Sequence, residues 1–172
     1  MKKLIRLLQK YATAKVVSVL FIATMAVYLK LFDLSPTGYT PDYAISLLEA
    51  LGSEGRATYL TLQLPLDFLY PGLFAITYSL LLTWLFNKGA EVGSRIFYFS
   101  LVPMLAGLFD YIENVFIILM LKSYPDMSLS LVELASFFTV LKSGFTTTFF
   151  ILFFWGLVRF MKKKKSVAGA KS

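Results

Sequence analysis

Asp110-Tyr111-Ile112-Glu113-Asn114 interrupts an otherwise apolar run that extends from Ile96 to Leu121. The run is long enough to cross a bilayer as a helix, which takes about 20 predominantly apolar residues. Two carboxyl groups and an amide at its centre are costly there and need a partner or a purpose. Residues 110, 113 and 114 are three and four apart, so a helix puts them on one face. The rest of the chain is therefore expected to pack so as to meet that face.

Composition supports a membrane class. Of 172 residues, 58% are hydrophobic, against roughly 45–50% in a soluble domain. The formal charge of +7 is not spread as a nucleic-acid footprint would be. Lys2, Lys3, Arg6, Lys10 and Lys15 gather at one end, and Arg159, Lys162, Lys163, Lys164, Lys165 and Lys171 at the other, each beside an apolar run. That placement reads as anchoring at anionic head groups and argues against a nucleic-acid partner. Cysteine and histidine are both absent. Thiolate chemistry is thereby excluded, as is the side chain best suited to proton transfer at neutral pH. No metal or cofactor is expected.

The expected architecture is an all-α integral membrane protein, a single domain over 1–172 with four transmembrane helices in a bundle. Residues 2–11 alternate basic and apolar, as in a short helix lying on a membrane surface. Helix 1 follows at about 14–32; the run is long and lacks a small-x-small cleavage site, so it reads as retained. The Ser35-Pro36-Thr37-Gly38 turn and the Thr40-Pro41 pair introduce a short amphipathic helix over 41–52 in the first outer loop, stopped by Gly52. Helix 2 spans about 57–87, with Pro65 and Pro71 expected to kink it. Pro71 has no N–H, which leaves the Asp67 carbonyl without its helical partner. The 87–93 connection leads to helix 3 at about 95–121, the turn at 122–126 to helix 4 at about 129–161, and a basic tail fills 162–172. Four crossings put both termini on one side. The lysine and arginine bias, with Lys88 and Arg95 in the second loop, makes that side cytoplasmic.

At 1.5 Å per residue from the cytoplasmic ends, Asp110 lies roughly 20 Å up helix 3, Lys142 about 23 Å up helix 4 and Asp67 about 28 Å up helix 2. All three fall in the outer half of a hydrocarbon layer about 30 Å thick. Three acids (Asp67, Asp110, Glu113) thus meet one base, Lys142, with Arg56 nearer the surface as a second candidate. Asn114, Thr139, Tyr70 and Tyr111 complete the expected pocket. Tyr78, Phe109 and Phe116 are expected to pack a ligand's apolar part. The competing reading is a Lys142–carboxylate clamp between helices 3 and 4 that holds no ligand.

At these residues the chain resembles, distantly, the EXPERA group of four-helix membrane proteins, which includes the sterol isomerase and the sigma-two receptor. The shared outline is four helices with cytoplasmic termini and a lysine-rich tail. To this are added Leu31-Phe32-Asp33 ending helix 1, a proline-led outer helix, Asp67 and Pro71 in helix 2, and Asp110 and Glu113 in helix 3. The resemblance implies a hydrophobic pocket for a sterol-like or lipid-like ligand, with acids meeting its polar or cationic group. Two departures matter. Without histidine, the isomerase's chemistry is not supported, and the Lys162–Lys165 run is not at the spacing of a dilysine retrieval signal. A bacterial inner membrane is favoured, with the endoplasmic reticulum as the alternative.

The expected function is binding of a lipid-like or sterol-like amphipathic ligand, with membrane lipids and a small hydrophobic molecule as partners. Alternatives are a lipid-modifying acid/base enzyme, a proton-coupled small transporter, and a structural or assembly subunit of a larger membrane complex. No nucleophile motif assigns a catalytic residue. Gly107 and Gly144 are expected close-approach sites, within one chain ahead of a homodimer.

Overall fold

The computed structural model of the chain describes residues 1–28, 35, 37–89 and 94–169. Its helices are α1 (Lys2–Tyr11), α2 (Ala14–Tyr28), α3 (Pro41–Ala50), α4 (Gly52–Thr58), α5 (Leu64–Gly89), α6 (Val102–Ser123) and α7 (Leu129–Gly169). A π-helical turn, Tyr59–Gln63, joins α4 to α5, and a 3₁₀ segment, Arg95–Leu101, leads into α6. There is no strand among the described residues. Three rods are long and apolar enough to cross a membrane: Gly52–Lys88 with 37 residues, Arg95–Ser123 with 29 and Leu129–Lys162 with 34. The protein is all-helical and compatible with integral membrane insertion.

Of the first expected span the structure describes α2. Its 15 residues rise about 22 Å. Its expected continuation, with Lys30 and Leu31-Phe32-Asp33, lies outside the described residues, as do Pro36, the 90–93 part of the second connection and 170–172. α1 meets α2 at 94°. The bend lays Leu8 of α1 and Ala12 of the elbow against Val17 and Leu80, while Lys2, Lys3, Arg6 and Lys10 stay exposed. At the other end of the chain, α7 continues past the expected stop at 161 to Gly169. Lysines are good helix formers, and no breaker precedes that glycine.

Local chemistry explains the remaining boundaries. The Thr40 side chain accepts from Tyr43 N–H (3.3 Å), with Pro41 opening α3. Gly52 adopts φ +64°, a conformation that turns α3 into α4 and that a Cβ would strain. The helix then widens before Pro65: Leu64 N–H reaches Tyr59 O, five residues back. The ring of Pro65 would crowd the carbonyl four residues before it, and a π turn gives it room. Pro103 sits in the first turn of α6, where no helical N–H is lost.

α5 is the hub, in contact with α1, α2, α6 and α7. Near its C-terminal end, Trp84 meets Phe160 (ring centroids 6.0 Å apart) and Phe86 meets Trp155 (6.2 Å). The N-terminal elbow and the later part of α7 therefore share that end. Midway, Tyr78 packs against Phe74 and Phe149 with centroids 4.6 Å away in each case. At the opposite end α3 covers the bundle, burying Ala44 and Leu48 against Leu64, Ile117, Leu121, Val132 and Ala135. Gly38 and Tyr39 tie that cap to α7, with Tyr39 N–H donating to Ser136 Oγ (2.9 Å). The α5–α6 crossing is tightest at Gly107, where a Cβ would fall 2.7 Å from Pro71 O. Gly144 is different: nothing lies within 4 Å of where its Cβ would be. Within the chain it is not the close-approach site expected, because α7 leans on its neighbours with its other face.

Candidate functional site

The apolar run that carries Asp110, Glu113 and Asn114 becomes α6, and its polar face is divided between two neighbours. Glu113 and Asp110 turn to α7, whereas Asn114 turns to α5. Glu113 is fully buried. Lys142 Nζ stands 2.8 Å from Glu113 Oε2 and 3.4 Å from Asp110 Oδ1. On the other side Thr139, one helical turn before Lys142, donates its hydroxyl to Glu113 Oε1 at 2.6 Å. A buried carboxylate held by both an ammonium and a hydroxyl has met the two demands of burial, charge compensation and hydrogen bonding.

Register explains why these groups meet. From the α6–α7 turn, Asp110 lies 13 residues back from Ser123 and Lys142 lies 13 residues on from Leu129. At 1.5 Å per residue both are about 20 Å from the turn, so an antiparallel pair brings them level.

Asn114 answers the vacancy that Pro71 creates. Its amide donates to the Asp67 carbonyl at 2.7 Å, the main-chain acceptor that a proline four residues later leaves open. Asp67 thus joins the polar network through its backbone, while its carboxylate accepts from Gln63 of the π turn (3.1 Å). Tyr111 lies on the α5 side. A Cβ on Gly72 would fall 2.7 Å from its hydroxyl, and its ring neighbours Phe68. Arg56, the second candidate base, donates to Leu48 O at 2.7 Å and covers the Tyr124 ring at 4.2 Å. It serves the C-terminal end of α3, where a cation is favourable.

A cavity of about 290 Å³ opens beside the ion pair between α2, α5, α6 and α7. Its lining mixes Asp110, Lys142, Ser143, Thr146 and Thr147 with the aromatic rings of Tyr28, Tyr70, Phe74 and Phe150. Tyr70 stacks obliquely between Tyr28 (5.7 Å) and Phe74 (5.8 Å). Of the eight residues singled out from sequence, Asp110, Lys142 and Tyr70 line this space. Glu113 holds Lys142, and Thr139 in turn holds Glu113. Asp67, Tyr111 and Asn114 belong to the α5–α6 contact. Phe109 and Phe116 both pack on Phe138 in the α6–α7 seam, and Tyr78 is core.

Sequence reasoning missed Tyr28, and it missed the hydroxyl pair Thr24–Thr77, fully buried and 2.7 Å apart across α2 and α5. Thr24 also donates to Leu20 O (2.8 Å), so the proton between the two threonines comes from Thr77. A threonine in each of two apolar helices is a faint signal, since most such hydroxyls bond their own helix. Among the described residues, no group of three or more acids gathers as metal ligands would. Comparison of the chain with known protein families, with curated proteins and with solved structures finds no match in any of the three.

Proposed function

We propose that this chain is a four-span membrane protein that binds a lipid-like or sterol-like amphipathic molecule in the cavity between α2, α5, α6 and α7. The single observation that carries the reading is the mixed lining of that cavity. Asp110, Lys142 and three hydroxyls share it with the rings of Tyr28, Tyr70, Phe74 and Phe150. A space that offers both apolar rings and convergent polar groups is what a small amphipathic ligand requires. The ligand's polar end meets Lys142 and Asp110, and its body lies along the rings. Glu113 and Thr139 act as positioning residues, Glu113 fixing the ammonium and Thr139 fixing Glu113.

In this reading α2 is the fourth span, since it runs along α5 with Thr24 bonded to Thr77 while α1 turns away at 94° to lie on the surface. The basic clusters at both ends of the chain support cytoplasmic termini. A bacterial inner membrane is preferred to the endoplasmic reticulum. The resemblance to the EXPERA group supports the lipid-like or sterol-like ligand.

Native mass spectrometry of the protein extracted in mild detergent tests the proposal. The wild type is expected to carry a lipid or sterol-like adduct that Asp110→Asn and the cavity-filling Thr146→Phe both lose. Equal retention by all three proteins would overturn it.

A further inference from the structure

A second apolar space lies well away from the ion pair. It is an open groove of about 460 Å³ lined by Ala14, Val17, Ser18, Phe21 and Ile22 of α2, Leu81 and Trp84 of α5, and Phe153 of α7. From Ala14 to Ile22 the groove follows α2 for about 12 Å, close to the roughly 15 Å depth of one leaflet in a 30 Å hydrocarbon layer. Its mouth is basic. Lys15, exposed, follows Ala14 directly. Lys88, also exposed, holds its ammonium 5.9 Å from the centre of the Trp84 ring. The elbow between α1 and α2 directly precedes Ala14, and the exposed Lys10 lies just before it. An acyl-sized slot that ends among cations, beside a tryptophan of the kind that settles at head-group level, has the shape and charge of a phospholipid site.

We infer that this groove binds one anionic phospholipid, with an acyl chain between α2, α5 and α7 and the phosphate between Lys15 and Lys88. The site is separate from the cavity beside Asp110 and does not depend on what that cavity holds. Near a membrane surface each lysine strengthens attraction to anionic lipid about fivefold, so the pair gives the groove a clear preference over zwitterionic lipid.

The chain supplies its own probe. It has two tryptophans, so Trp155→Phe leaves Trp84, on the groove wall, as the sole fluorophore. The full-length variant in phosphatidylcholine vesicles is titrated with acyl-brominated phosphatidylglycerol or acyl-brominated phosphatidylcholine, and quenching of Trp84 is followed. The phosphatidylglycerol is expected to quench at a mole fraction at least fivefold lower. Lys15→Gln with Lys88→Gln should bring the two lipids close together, both positions being exposed and so harmless to folding. Ser18→Phe, which fills the groove, should weaken quenching by the anionic lipid to the level of the zwitterionic one. Equal quenching by the two lipids, or a preference untouched by either variant, would overturn the inference.

Discussion

Two seams of this bundle carry polar groups through apolar surroundings, and they do it in opposite ways. Between α6 and α7 the groups are charged: Glu113 and Asp110 face Lys142, with Thr139 as support. Between α2 and α5 they are hydroxyls, Thr24 and Thr77. A hydroxyl can turn to its own helix, as Thr24 does to Leu20 O, so the second seam survives without its partner. A carboxylate has no such refuge in hydrocarbon and needs a cation from another helix. The charged seam therefore specifies which helices meet and at what level, whereas the hydroxyl seam only trims a contact that packing already makes.

The contrast breaks most readily at Lys142. Lys142→Met removes the ammonium 2.8 Å from Glu113, a side chain with no access to solvent. Losing one partner of a buried pair costs about 3–5 kcal/mol, readable as a fall in unfolding free energy in detergent. The triple variant Asp110→Asn/Glu113→Leu/Lys142→Met should recover most of that loss, because no carboxylate then loses its cation and an apolar pair of similar volume is nearly neutral. If the single variant is as stable as the wild type, the charged seam does not organise the bundle.

The two glycines sharpen the comparison on geometric grounds. A methyl at Gly107 would meet the Pro71 carbonyl at 2.7 Å, and backbone cannot swing aside as a side-chain tip can. Gly107→Ala is expected to cost about 1–3 kcal/mol by overpacking the α5–α6 crossing. Gly144→Ala meets nothing and should stabilise α7 by about 0.5–1 kcal/mol through helix propensity. Thermal unfolding of the two variants side by side separates a crossing point from a free helical face.

How far the sequence could be read follows from the same physics. Charges inside an apolar run are rare enough to mark their own place, so Asp110, Glu113 and Lys142 stand out and antiparallel counting puts them level. Pro71 likewise announces an open carbonyl at Asp67. The direction each side chain takes around its helix is another matter. Tyr111 lies one residue from Asp110, and that single step, about 100° of rotation, turns it to α5 instead of the cavity. Gly107 and Gly144 look alike in sequence, yet only one lies at a crossing, because helix rotation is decided by the sum of many small contacts. The Tyr28 wall depends on how α2 is placed against α5, which no periodicity encodes. Half of the apolar window in the α5 rod is buried, against 11% in α7. Both windows read as equally apolar, so only the packed bundle distinguishes hub from rim.

The smallest expected effect tests the hydroxyl seam itself. Thr77→Val keeps the shape and removes the donor to Thr24. Thr24 retains its bond to Leu20 O, so what is lost is one interhelical hydrogen bond inside apolar surroundings, worth about 0.6 kcal/mol on average between membrane helices. That is several-fold below the cost at Lys142, and it should show in detergent unfolding as a slight shift with unchanged cooperativity. A Thr77→Val loss as large as that of Lys142→Met would mean that the α2–α5 contact depends on its hydroxyls. The distinction between a seam that specifies and a seam that trims would then fail, since charge would no longer be what separates them.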